Sequence, residues 1–288
     1  MRLHKLQMNE QRLWRAGCVS RRSGAGWLSA SPCRALGAAL LLVALFAPPT
    51  VAGATNDVQL PSLGLMLQGR AVYQKHCLAC HGAKGDGKGD MGVSVRPLPR
   101  NFRHGVFKFR STPPGFLPTN DDLARTVRQG LTGTAMPTFN ILREHEVRAV
   151  VEYVKSFSPR WDKPENYAAP VPIPETPGWM TNAPARAAHV ERGRALFATT
   201  CAPCHGNSGA GNGPSAATLK DFEEQPIAPS DLRQPWRCGE EPRDLFRLLV
   251  TGIDGTPMPS FFPGLSAEQV WQLAAYTMEL RRAASAEK

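Results

Sequence analysis

Two stretches of the chain place apolar residues at intervals of three and four. Val147, Val150, Val151, Val154 and Phe157 form one such stripe, and Val270, Leu273, Ala274 and Leu280 form the other. Each predicts an amphipathic helix with one face in a core. Tyr153 and Tyr276 occupy the same place in the two helices. A third apolar segment, Ala35 to Ala47, has no polar face and is thirteen residues long. As a helix it spans roughly 20 Å, against about 30 Å for a bilayer core. Basic residues (Arg12, Arg15, Arg21, Arg22, Arg34) precede it, and Pro48-Pro49 and Ala52-Gly53-Ala54 follow. That order reads as an export signal over residues 1–54, cleaved after Ala54, with an uncleaved membrane tether as the alternative.

Helical patterning stops between residues 158 and 186, where seven prolines fall, including Pro170-Val171-Pro172-Ile173-Pro174. Such a stretch cannot be helical and predicts an extended, semi-rigid spacer separating two cores. The organisation expected is a signal peptide (1–54), a first domain (63–158), a proline-rich linker (159–186) and a second domain (187–285). Strand signals are poor, so the fold class is mainly α.

Laid on itself, the chain repeats. Gly69-Arg70-Ala71-x-Tyr73 returns as Gly193-Arg194-Ala195-x-Phe197, at an offset of 124 residues. Cys77-Leu78-Ala79-Cys80-His81 returns at the same offset as Cys201-Ala202-Pro203-Cys204-His205. Glycine-rich loops follow both. Asp122-Leu123 and Arg125 match Asp244-Leu245 and Arg247, and Gly130-x3-Thr134-x-Met136-Pro137 matches Gly252-x3-Thr256-x-Met258-Pro259.

Cys-x-x-Cys-His is the attachment signature of c-type haem: two thiols bond the porphyrin and the adjacent histidine reaches the iron. Two cysteines three apart on a helical turn share a face, which holds the next residue beside the metal. Zinc ribbons place their cysteine pairs about 15–20 residues apart, and a thioredoxin-like site needs a βαβ setting, so neither fits. Two covalent haems c are expected, at Cys77, Cys80 and His81 and at Cys201, Cys204 and His205. Of seven cysteines, two lie in the leader and four in these motifs, which leaves Cys238 unpaired.

Glycine and proline together make 52 of 288 residues. A half of about 100 such residues has a marginal apolar core, which a central haem would complete. The formal net charge of +10 falls to +4 without the leader, with 27 Lys+Arg against 23 Asp+Glu. Haem carboxylates would offset much of that, and nothing points to nucleic acid.

With these motifs in this order the chain resembles class I cytochrome c, in tandem. The resemblance implies His81 and Met136 as the axial pair of one iron, and His205 and Met258 as that of the other. The intervals agree, 55 residues in the first half and 53 in the second. A thioether is a soft ligand that raises the reduction potential. His76, His104, His145 and His189 have no counterparts and are expected off the iron. Phe109-Arg110-Ser111 aligns with Trp236-Arg237-Cys238, which makes Arg110 and Arg237 candidates for the haem propionates, against solvated arginines covering the loop. Cys238 reads as a buried free thiol or as a thiolate ligand.

The function expected is a periplasmic dihaem electron carrier serving redox partners, either a donor dehydrogenase or an acceptor cytochrome or oxidase. No catalytic residue can be picked out by motif. The alternatives are a dihaem enzyme of the thiosulfate dehydrogenase or peroxidase type, and a membrane-tethered cytochrome subunit of an oxidoreductase.

Overall fold

A computed structural model describes residues 61–286. The export segment expected over residues 1–54 lies outside the described residues. Among the described residues no strand forms, and a single bridge joins Lys220 to Pro226. The first half holds α1 (Leu63–His76), α2 (Leu78–His81), α3 (Asn120–Gln129) and α4 (Glu144–Lys155). The second repeats the order as α5 (Ala183–Thr200), α6 (Ala202–His205), α7 (Pro242–Thr251) and α8 (Ala267–Ala286). No helix among them is long and apolar enough to cross a membrane.

In each half the first long helix packs on the last, and the repeated glycine explains how. A Cβ at Gly69 would lie 2.1 Å from the Ala149 carbonyl oxygen, and one at Gly193 would lie 2.1 Å from that of Gln272. Only a residue without a side chain lets the backbones cross this closely. Beside the crossings, Tyr73 meets Tyr153 at 5.3 Å and Phe197 meets Tyr276 at 5.2 Å. The predicted stripes face inward: Val147, Val150, Val151 and Val154 are buried in the first core, and Val270, Leu273 and Ala274 in the second.

The repeated Asp-Leu-x-Arg shapes the helix starts. Asp122 caps α3 reciprocally with Thr119, accepts from the Ser111 amide and hydroxyl at 2.8 Å each, and pairs with Arg125. In α7, Asp244 accepts from the Glu241 amide at 3.2 Å and pairs with Arg247 at 2.6 Å. These arrangements satisfy helix N-terminal amides that would otherwise lack partners.

Residues 167–177 of the proline-rich stretch form no helix. Short 3-10 turns at Pro159–Asp162, Pro164–Asn166 and Gly178–Met180 correct the expectation that the whole segment lacks helix, since proline is tolerated in a first turn. The stretch does not separate the cores. Trp161 is buried in the first, Met180 is buried in the second, and Val171, Ile173 and Trp179 pack against the second. Backbone bonds from Leu117 to Asn166 (2.9 Å) and from Val171 to Ser111 (2.8 Å) tie the stretch to the first half. Helix α5 begins at Ala183, within the segment read as linker. The halves also touch directly, because Phe109 of the first packs against the core of the second.

Candidate haem sites

Each Cys-x-x-Cys-His motif forms one turn of helix after a break. Cys77 closes α1 through its amide to the Tyr73 carbonyl (2.8 Å), and His81 N then donates to Cys77 O at 2.9 Å. Cys201 closes α5 on Phe197 (2.9 Å), and His205 N donates to Cys201 O at 2.8 Å. The turn keeps both cysteines and the histidine together. None of Cys77, Cys80, Cys201 and Cys204 is in a disulfide. Burial, followed by the neighbouring cysteine, pushes the Cys77 thiol up to about 11 and the Cys201 thiol up to about 12.

Both histidines are oriented in the same way. His81 Nδ1 donates to the Arg100 carbonyl at 3.1 Å, and the ring stacks on Phe102 at 4.4 Å. His205 Nδ1 donates to the Ser230 carbonyl at 3.0 Å. A proton fixed on Nδ1 leaves the Nε2 lone pair free, and burial lowers both histidine pKa values toward the neutral form. A neutral imidazole aimed by a backbone carbonyl is the donor that a metal needs.

The methionine loops are also duplicates. Met136 N donates to Thr134 Oγ1 (3.1 Å), whose hydroxyl donates to Leu131 O (2.7 Å), and Leu131 N returns to Met136 O (3.1 Å). The same ring of bonds joins Met258, Thr256 and Ile253 at 3.2, 2.8 and 3.1 Å. Gly130 and Gly252 open these loops at φ +63° and +66°, where a Cβ would strike Pro137 or Pro259 backbone within 2.7 Å. The repeated Gly, Thr and Pro thus build the loop, and each methionine sits half-buried on it. Met258 and Cys201 pack against the same core.

The two aligned arginines do different things. Arg110 is buried and reaches into the second half, pairing with Asp254 at 2.9 Å and donating to Thr251 O at 2.9 Å. Arg237 makes no hydrogen bond or ion pair among the described residues, and burial lowers its pKa. Trp236 commits its indole N–H to Leu232 O at 2.9 Å. His104, His189 and His76 have structural partners: Glu223 at 3.0 Å, the Trp179 ring at 4.0 Å and the Phe139 ring at 6.0 Å. Cys238 is buried, and its thiol, pushed up to about 12 by burial, donates to Gly239 O at 3.6 Å.

Buried cations in the first half, with Arg237 of the second beside them, suit the acidic groups of a haem. Arg110 Nη1 is buried without a hydrogen-bond partner, a free donor where an acidic group would be stabilised. Lys108 is held down to about 8, first by burial and then by the positive charges of Arg100 and Arg237. Cations gathered and dehydrated in this way match the carboxylates that haem would bring. Sequence reasoning missed Asp254 and Glu223, whose partners lie in the other half and leave no periodic trace.

Residues 64–154 and 188–276 each match the family described as cytochrome C oxidase, cbb3-type, subunit III. A cbb3-type cytochrome c oxidase subunit FixP of Azorhizobium caulinodans is 24% identical over 74% of this chain and 59% of its own length. A cbb3-type subunit CcoP of Azospirillum brasilense is 25% identical over 75% of this chain and 62% of its own length. FixP of Sinorhizobium medicae is 32% identical over 33% of this chain. The chain therefore spans between 32% and 62% of the length of the curated relatives it matches. A chain of the reducing HAO-like protein complex of Kuenenia stuttgartiensis superposes with a TM-score of 0.65 at 36% identity, covering 74% of this chain and 95% of that one. Two cytochrome c domains imply covalent haem c, and electron transfer is consistent with them. With the two matched segments falling on the two four-helix halves, the chain belongs to the cbb3-type subunit III cytochrome family and carries its domain twice.

Proposed function

We propose that the chain is an exported dihaem electron carrier of the periplasm. In this reading Cys77, Cys80, Cys201 and Cys204 hold the two haems, with His81 and Met136 on one iron and His205 and Met258 on the other. One observation carries it. In each half the histidine gives Nδ1 to a backbone carbonyl and the methionine loop is braced by a threonine, so both halves prepare the same pair of axial donors. When bound, haem supplies a one-electron couple whose potential a thioether raises. The chain's own residues fix the ligands, exclude water with the two cores and hold the halves in contact. A carrier of this kind reorganises little, because packed cores and hydrogen-bonded loops resist displacement.

The FixP and CcoP relatives are oxidase subunits, and the Kuenenia chain belongs to a larger complex. We therefore read the partners as redox proteins, a donor dehydrogenase or an acceptor cytochrome or oxidase, which dock to exchange electrons. Catalysis at either iron would need an open position, which two methionine ligands deny.

The test is spectroscopic. Purified protein should retain its haem through acid-acetone extraction and give a pyridine haemochrome of two c-type haems per chain. The oxidised protein should show the weak near-infrared absorption of iron–thioether bonding. Reduced protein should bind carbon monoxide slowly and poorly, yet exchange electrons rapidly with a small cytochrome or copper protein. Stoichiometric carbon monoxide binding, with steady turnover of peroxide or thiosulfate, would replace the carrier by an enzyme.

A further inference from the structure

The first half places an arginine on the loop that carries Met258. Arg110 leaves the segment before α3 with its side chain fully buried. Its Nε donates to Pro113 O of its own half at 3.2 Å. Its Nη2 turns to the second half, donating to Thr251 O at 2.9 Å and pairing with Asp254 Oδ1 at 2.9 Å. The Gly115 amide adds a donor to the same carboxylate at 3.3 Å to Oδ2. Thr251 ends α7, and Asp254 stands inside the turn that the Thr256 and Ile253 bonds close around Met258. Arg237, the aligned residue of the second half, makes no reciprocal bond to the Met136 loop among the described residues.

We propose that Arg110 is a positioning residue for Met258, so that the first half sets how firmly the second half's thioether is held. This rests on the reading of Met258 as an axial ligand. The physical reason is that, apart from its own turn, the loop is held by the neutral bond from the Phe222 amide to Gly255 O at 3.1 Å. Arg110 adds a charge-assisted contact in a buried place, where such contacts are strong and leaving a partner unmatched is costly. Burial raises the Asp254 carboxyl, and Arg110 acts against that rise. Opening the Met258 turn would have to break this pair.

The test uses the full haem-loaded chain in two backgrounds. With Met136→Ala the near-infrared band reports Met258 alone, and with Met258→Ala it reports Met136 alone. Imidazole is titrated into the oxidised protein until the band is lost, since it competes only when the thioether lets go. Arg110→Gln in the Met136→Ala background should lower the imidazole concentration needed by roughly tenfold or more, tenfold being about 1.4 kcal/mol. Asp254→Asn, which removes the pair but keeps the arginine, should shift the same titration in the same direction, and it decides the matter if Arg110→Gln fails to take up two haems. In the Met258→Ala background Asp254→Asn, which leaves Arg110 in place, should change little. Unchanged titrations, or equal shifts by Asp254→Asn in both backgrounds, would overturn the proposal. If Met258→Ala alone leaves the whole band, the ligand assignment has failed instead, and the inference falls with it.

Discussion

Adding one methyl group at Gly193 should destabilise the second half measurably, although alanine is the better helix former. The new Cβ would stand 2.1 Å from the Gln272 carbonyl oxygen, 2.7 Å from its carbon and 3.0 Å from Tyr276 Cβ. Non-bonded carbons settle near about 3.5–4.0 Å, so α5 must withdraw from α8 by more than an ångström. No rotamer change relieves the clash, because its first two partners are backbone. Withdrawal loosens the Phe197–Tyr276 contact and the buried Val270, Leu273 and Ala274 behind it. Overpacking of this kind costs about 1–3 kcal/mol, offset by about 0.8–1.0 kcal/mol of helix propensity. The backbone clash favours the upper end, leaving a net loss of about 2 kcal/mol. For a chain of this size that lowers Tm by about 4–8 °C. Gly64→Ala is the control, since its Cβ meets nothing within 4 Å. Thermal unfolding of haem-loaded protein followed by far-ultraviolet circular dichroism checks both. If Gly193→Ala melts at or above the parent temperature, the crossing has slack and the reasoning fails.

Asp122→Ala should cost about 3–5 kcal/mol in denaturant unfolding, because a buried ion pair loses one partner and three donors are stranded. Asp244→Ala, with fewer donors and a more exposed carboxylate, should cost clearly less, and equal losses would count against this account. Cys238 should resist iodoacetamide in the folded protein at pH 8, its thiol being buried and pushed up to about 12. After unfolding, a mature haem-loaded chain should titrate one thiol; five would mean that neither haem is covalently held.

Much of the fold was legible because repetition reports local construction. Gly69 and Gly193 recur since two helices must cross there. Gly130 and Gly252 recur since a loop must turn with positive φ, and Thr134 and Thr256 recur since each braces that loop. The valine stripe of α4 needed only its period. Local rules also misled. Four of the seven prolines, at 170, 172, 174 and 177, do keep a strap free of helix, but that says nothing about burial. Trp161, Val171, Ile173 and Met180 fasten the strap to both cores, so it is no free spacer.

What stayed hidden is the contact between the halves, and the reason is physical. Comparing a tandem chain with itself exposes what the halves share, whereas a two-sided interface needs each half to present a different surface. Arg110 and Arg237 align, so the repeat gives them one job. Their surroundings differ because the position of Asp254 in the second Met loop is held in the first by Thr132, which carries no charge. Arg110 therefore finds a carboxylate across the interface, and Arg237 has none to find. The same holds for Glu223, which receives His104 and Asn101 from the other half at 3.0 and 3.4 Å. In a duplicated cytochrome the informative positions for coupling are thus the departures from the repeat. A charge present in one copy and missing from the other marks where one haem domain can act on its neighbour.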